Sequence, residues 1–292
     1  VTKPLPPSPE ALPRPVVDAH THLLSTQRFS GLSVAAALDR ARSVAVTRFV
    51  EVGVDVASSV AAVGLAAAHP EIVANIAIHP NEAARLGDAL PAALDAIDAL
   101  AARPGVRGIG ETGLDYFRTT DRAGKDLQRV SFERHIRLAQ RTGRTLVIHD
   151  RDAHADILAV LDETGVPGRV VMHCFSGDAE YARECLDRGA WLSFPGTVTF
   201  KPNDALREAA RSTPLDRLLV ETDAPYLTPM PFRGRPNSSY LLPHTVRFLA
   251  GLLDVGVPEL CDRLTANAFA AFGGSWADTD PEGPRAGNGA AR

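Results

Sequence analysis

From Val16 onward the chain alternates between two textures. Short runs rich in β-branched residues read as strands: Val16–Ala19, Arg48–Val52, Val73–Ile78, Val106–Gly110, Thr145–Ile148, Arg169–His173, Ala190–Phe194 and Arg217–Val220. Between them lie alanine-rich segments such as VAAALDRARSVAV, LPAALDAIDALAA and VSFERHIRLAQRTG. Their apolar residues recur at i, i+3, i+4 and i+7, which predicts amphipathic helices. Strands alternating with helices pair in parallel, because each crossover returns the chain to the same end of the sheet. Eight such units predict an α/β fold, a closed (β/α)8 TIM barrel, with a doubly wound open sheet as the alternative. Two further helical patterns, YLLPHTVRFLAGLL and VPELCDRLTANAFAAF, would cover the outside and close the last gap. Asn267 and Phe269 belong there as packing residues.

The ends of the chain break this rhythm. Residues 1–14 are proline-rich and read as an extended, mobile tail; residues 277–292 are rich in Gly, Ala and Pro and read as a disordered one. The barrel is then a single domain over residues 15–276. Composition fits that picture, with 45% hydrophobic and 23% charged residues. A net charge of -4 gives the chain as a whole no electrostatic footprint for nucleic acid, although a local basic loop could supply one. Cys174, Cys185 and Cys261 are odd in number and lack CxxC spacing, which suggests a reduced, cytoplasmic protein. No apolar run approaches the ~20 residues of a membrane span, so no membrane partner is expected. The glycine-dense GVRGIGETG lacks the GxGxxG and GxxxxGK[ST] patterns, so no organic cofactor is expected either. Nothing in the sequence specifies an oligomeric state.

The barrel reading sharpens the search for chemistry, because such folds place it at the C-terminal ends of their strands. His20 and His22 follow the first strand, two positions apart and therefore on one side. Glu111 follows the fourth, His149 the fifth, His173 ends the sixth and Asp223 follows the eighth. Alone, each has an ordinary reading as a hydrogen-bonded histidine or a helix cap. Together, six donors at matching ends of five strands point to a metal site. Mixed imidazole and carboxylate donors suit Zn²⁺, Mn²⁺, Fe²⁺ or Co²⁺ and tolerate Mg²⁺ less well. Six exceed the needs of one tetrahedral ion, so two divalent metal ions bridged by Glu111 is the economical arrangement. A bridged pair lowers the pKa of bound water toward ~7, and Asp223 would orient that water and take its proton.

The motifs that carry these residues are VVDAHTHL, AIHPNEA, GIGETGLDY, LVIHDRDA, HCFSG and ETDAPYLTP…RGRPN. In this order they resemble the TatD family of metal-dependent deoxyribonucleases, which belongs to the amidohydrolase-like TIM barrels. The resemblance runs over roughly residues 15–273. It implies a (β/α)8 barrel with divalent metals on His20, His22, Glu111, His149, His173 and Asp223. It also implies hydrolysis of DNA phosphodiesters, often by removal of nucleotides from the 3′ end, so that single-stranded DNA ends become the expected partner. Two departures from the family pattern bear on substrate preference. Leu24 and Ser25 stand where the family often has an acid after HxHL, and Asn237 is followed by Ser238 and Ser239 in place of Glu-Pro.

A phosphodiester needs cations near the metals. Arg233 and Arg235, on the loop after the eighth strand, are the first candidates for phosphate contacts, with Arg118, Arg151 and Lys201 on neighbouring loops. Tyr116, Phe117 and Tyr226 are candidates for base stacking, and His79 for a phosphate contact at the same mouth. His69, His135, His154 and His244 fall in helical text and read as structural. Cys174 should point away from its neighbour His173 and stay inert. Two other functions compete with a nuclease. One is a metal-dependent amidohydrolase or esterase acting on a small molecule or an aminoacyl-tRNA ester. Such barrels often bridge their metals with a carbamylated lysine, and no lysine ends a strand here. The other is a nucleic-acid-binding scaffold whose metal site is vestigial, against which stands the complete donor set.

Overall fold

Eight parallel strands pair in sequence order, β1 (Val16–Thr21), β2 (Val46–Val52), β3 (Ile72–Ile76), β4 (Val106–Asp115), β5 (Thr145–Arg151), β6 (Val170–Met172), β7 (Trp191–Phe194) and β8 (Leu218–Val220). The structure is a computed structural model that describes residues 4–273 and 276. The helices are α1 (Leu23–Ser30), α2 (Val34–Arg42), α3 (Val56–Ala68), α4 (Pro80–Leu86), α5 (Leu90–Leu100) and α6 (Arg122–Thr142). They continue with α7 (His154–Thr164), α8 (Ala179–Asp187), α9 (Asp204–Ser212), α10 (Leu242–Leu253) and α11 (Val257–Phe272). This is the (β/α)8 barrel, not the open sheet.

The barrel closes just beyond β8. Asp223 N donates to His20 O at 3.0 Å and His22 N to Ala224 O at 2.9 Å. Beneath them the buried Asp18 carboxylate accepts from Thr222 N at 2.9 Å and from Thr222 Oγ1 at 2.6 Å. Val17, Val50, Val73, Val147, Val171 and Leu219 form one apolar cluster with Ala268, Ala271 and Phe272 of α11. That helix lies across the N-terminal ends of the strands, where Thr145 Oγ1 donates to Ala271 O at 2.5 Å. Asn267 does more than fill space, since its Nδ2 donates to Leu215 O and Leu218 O at 2.7 and 2.8 Å. The alternate strand residues, among them Phe49, Ile72, Ile148 and Phe194, are buried in the larger cluster shared with the outer helices. One end of the barrel is thereby sealed and the other is left for polar groups.

Strand boundaries shift by a few residues from the sequence reading: β5 runs on to Arg151, so that His149 lies within it, and β6 stops at Met172, just before His173. β1 and β4 run on to Thr21 and Asp115, so His20 and Glu111 lie within strands. β3 stops at Ile76 because the next two amides leave the ladder: Ala77 N donates to Ser59 Oγ at 3.3 Å and Ile78 N to His135 Nε2 at 3.2 Å. The N-terminal segment is extended, as its prolines require, but it is pinned where the sequence suggested mobility. Leu12 is buried with its N–H on Val44 O, Tyr240 donates to Pro6 O at 2.6 Å, and Arg247 holds the carbonyls of Glu10 and Ala11. The expected tail at 277–292 lies outside the described residues.

Candidate metal centre

Backbone crowding positions the central carboxylate. A Cβ on Gly110 would fall 2.3 Å from Val147 O, and one on Gly113 2.1 Å from His149 O. Only glycine lets β4 lie this close to β5 on both sides of Glu111. His149 Nδ1 is consequently 2.7 Å from Glu111 Oε1. His173 Nε2 and His79 Nε2 stand 3.2 and 3.3 Å from the same oxygen. On the other oxygen, Oε2, His20 Nε2 and His22 Nε2 converge at 3.4 and 3.8 Å. Asp223 Oδ1 completes that side, 3.5 Å from His22 Nε2 and 4.0 Å from His20 Nε2. Five imidazoles and one further carboxylate thus surround Glu111, and all six expected donors are brought together.

His79 joins them more closely than its sequence context suggested. It caps α4 by accepting from Asn81 N at 3.1 Å, which turns its ring toward His149, 4.6 Å away. Three buried acids that sequence reasoning passed over support the ring of donors. Glu221 Oε1 lies 2.9 Å from His173 Nδ1 and accepts from Cys174 N at 2.9 Å. Asp115 Oδ2 lies 3.4 Å from His149 Nε2 and accepts from Asn81 Nδ2 at 3.0 Å. Glu51 Oε2 accepts from Leu23 N at 2.8 Å, anchoring the turn after His22, whose own Nδ1 pairs with Val52 O at 3.0 Å. Period-two spacing from Asp223 was the available signal for Glu221; Asp115 and Glu51 carried none beyond their charge.

Burial and charge pull against one another in this cluster. Burial alone would lower His22, but Asp223 and Glu111 outweigh it and hold the imidazole up to about 9. His149 is likewise carried against its burial to about 9, by Asp115 and Glu111. Burial would raise Glu111 and Asp223, yet the imidazoles facing them keep both below the usual carboxylate range. His20 is the exception, lowered by burial and by the neighbouring His173. Both of its ring nitrogens are buried without a hydrogen-bond partner, and Nε2 is the one that faces Glu111. Buried imidazole nitrogens are ordinarily satisfied. A divalent cation would satisfy them, and the donors already fall into suitable groups. His20–His22–Glu111, His20–His173–Asp223 and His79–Glu111–His149 each bring three ligand atoms within 4.8 Å of one another. The residues therefore fit a metal centre in which Glu111 is common to both sides.

All the donors except the fully buried His20 line a cavity of about 570 Å³ at the open end of the barrel, with Arg118, Arg151 and Tyr226 at its edge. Arg233 and Arg235 stand beside it on the loop after β8. Tyr116 is not brought to the cavity. Its hydroxyl donates to Asp156 of α7 at 2.7 Å and Lys125 covers its ring. The next residue, Phe117, is the exposed aromatic, with the Arg151 guanidinium 3.9 Å from its centroid. Cys174 departs from expectation as well. A left-handed φ of 47° swings it onto the cavity wall, while burial and the surrounding acids push its thiol well above its ordinary pKa. It remains a protonated thiol there. Of the histidines read as structural, His135 is buried with Nδ1 2.7 Å from Ser131 O, and His154 stacks on Tyr181. Among the described residues no helix is long and apolar enough to cross a membrane.

The sequence profile of the TatD related DNase family matches residues 17–273. A Mycobacterium tuberculosis protein described as an uncharacterized metal-dependent hydrolase, TatD, is 43% identical over 264 residues, 89% of this chain and 99% of its own length. The uncharacterized metal-dependent hydrolase YabD of Bacillus subtilis is 37% identical over 256 residues, 87% of this chain and 98% of its own. Among solved structures, the TatD homologue YjjV of Escherichia coli superposes with a TM-score of 0.81 at 25% identity, covering 88% of this chain and 97% of that one. Agreement of this extent covers the barrel and its donors together, and the chain belongs to the TatD family of metal-dependent hydrolases.

Proposed function

We propose that the protein hydrolyses DNA phosphodiester bonds, releasing nucleotides from the 3′ ends of single strands. The observation that carries this reading is the shared carboxylate: Glu111 presents one oxygen to His20 and His22 and the other to His149, His173 and His79. That is the arrangement a pair of ions needs to clamp the two oxygens of a phosphoryl displacement. The description of the matched family as related to DNases supports the substrate class. Among the described residues, no lysine lines the cavity to bridge metals, which makes an amidohydrolase or esterase the weaker reading.

In this assignment His20, His22 and Asp223 would hold one ion and His149 and His173 the other, with Glu111 available to both. Two divalent ions, zinc or manganese before magnesium, would supply Lewis-acid charge and a water acidic enough to ionise near neutral pH. Asp223 is ionised at neutral pH because His22 and its neighbours hold its carboxyl low, so it can accept the proton of the attacking water. Glu221 keeps the His173 ring oriented, with Nε2 toward Glu111. His79 stands on the opposite side of Glu111 from Asp223, where its ring can meet a phosphate oxygen.

The test is release of label from 3′-labelled single-stranded DNA by the metal-reconstituted protein, with and without chelator and beside Glu111→Ala. Mononucleotides should appear, chelator should abolish them, and the variant should lose about 10²–10³-fold or more in rate. Absence of chelator-sensitive nucleotide release with any divalent metal, and release of an ester or amide product instead, would overturn the nuclease reading.

A further inference from the structure

Beside the metal cavity lies a second groove, of about 770 Å³, between α1, the turn after β7 and the loop after β8. Tyr226 and Leu227 line both spaces, so one opens into the other. The groove is bounded by Phe29, Phe200, Tyr226, Arg233 and Arg235. Phe29 and Tyr226 expose 53% and 55% of their surface on the same groove, where together they make an exposed aromatic patch. The Arg233 guanidinium lies 4.4 Å over the Phe200 ring, and Arg235 lies 5.9 Å from that of Phe232. Neither arginine has a carboxylate partner among the described residues. Exposed aromatic faces interleaved with uncompensated arginines are the makings of a site for single-stranded nucleic acid.

The groove is built before any ligand arrives. A Cβ on Gly196 would fall 2.2 Å from Leu227 O, so the turn after β7 presses directly on the loop after β8. Met230 N donates to Thr199 Oγ1 at 2.9 Å across the same contact. Asn237 ties both ends of the loop, donating to Thr222 O at 2.9 Å and Tyr226 O at 2.6 Å, and Thr228 Oγ1 donates to Arg235 O. Little ordering is left for a ligand to impose.

We propose that this groove holds the retained strand, immediately 5′ of the scissile phosphate, with a base on Phe29 and Tyr226 and backbone phosphates on Arg233 and Arg235. The proposal rests on the nuclease reading above, and chemistry fixes the side. A nucleotide released from a 3′ end carries only one phosphate, the scissile one, which belongs at the metals. Arginines outside the metal cavity can therefore meet only phosphates of the strand left behind.

The measurement is fluorescence anisotropy of the metal-loaded protein with a single-stranded oligonucleotide whose 3′-terminal linkage is a cleavage-resistant phosphorothioate. Phe29→Ala should weaken binding about 5- to 100-fold. Arg233→Gln with Arg235→Gln should reduce the slope of log affinity against log salt by about 0.7 per arginine. In parallel, kcat/KM is compared between thymidine 5′-p-nitrophenyl phosphate, which has no retained strand, and oligonucleotides of increasing length. Wild type should gain with each added nucleotide that reaches the groove, and the variants should lose that gain. Wild-type binding indifferent to both substitutions, or an unaltered length gain in the variants, overturns the groove assignment. Salt-sensitive binding that depends on Phe29 and the two arginines, without any nucleotide release, would sink the nuclease reading and leave the groove a single-strand site.

Discussion

The cations of the outer helices and those of the barrel mouth live in opposite surroundings. Along α6, Arg129 meets Glu133 at 3.2 Å, Arg134 meets Asp95 at 2.6 Å, Arg137 meets Glu133 at 3.1 Å and Arg141 meets Asp98 at 3.1 Å. At the mouth, Arg118 and Arg151 flank Phe117 and Arg233 covers Phe200, with no carboxylate partner among the described residues. Histidines divide the same way. His135 has both nitrogens engaged by protein, through Ile78 N and Ser131 O, whereas the mouth imidazoles crowd around acids that can release them to a metal. The lesson concerns net charge. A chain at -4 can still present an anion path, because its acids are spent on the shell and around the metals.

The largest test of this contrast is the pH dependence of stability. Burial lowers His135 to about 4, despite the Ser131 carbonyl on its Nδ1. Between its unfolded value near 6.5 and about 4 the unfolded chain binds a proton that the folded one refuses. Its contribution, about 3 kcal/mol, is therefore present above pH 6.5 and lost as pH falls to 4. Urea midpoints of wild type and His135→Asn across that range should converge on acidification; parallel curves would show that His135 is not held neutral. Next comes Glu221→Gln, which leaves a neutral partner on His173. Divalent-ion affinity, measured by competition with a chromogenic chelator, should fall about 10- to 100-fold while thermal stability changes little. A loss below threefold would mean that Glu221 does not tune the metal centre. The smallest effect is expected from Arg134→Gln on the shell: at most about 1 kcal/mol of stability, with the salt dependence of DNA binding unmoved. If that slope changes as it does for Arg233, the distinction between shell and mouth is void.

The fold was legible because its signals are local and repeated, a short β-branched run giving way to a helical period eight times. The clustering of the candidate donors was legible because imidazoles at strand ends are rare enough to count. What escaped depended on contacts distant in sequence. Glu221, Asp115 and Glu51 look like any other acids until the barrel sets them against His173, His149 and the turn after His22. Of the aromatic candidates, Tyr116 drops out because β4 continues through Asp115, which delivers the tyrosine to α7 and leaves Phe117 in solvent. Phe29 and Phe200 share a groove only through tertiary folding. Leu12, together with Tyr240 and Arg247 from far along the chain, anchors a segment whose composition suggested freedom.

The seam between β8 and β1 also sets the moment at which the protein can begin to act. His20 and His22 leave the ribosome early and Asp223 late, and they meet only when Asp18 receives Thr222, 204 residues away in sequence. A nascent chain carrying the first seven strands holds most of the candidate donors yet lacks Asp223, which stands against His20 and His22 in the folded barrel. The site of this metal-dependent hydrolase is in this way incomplete until the eighth strand and the turn after it have been made.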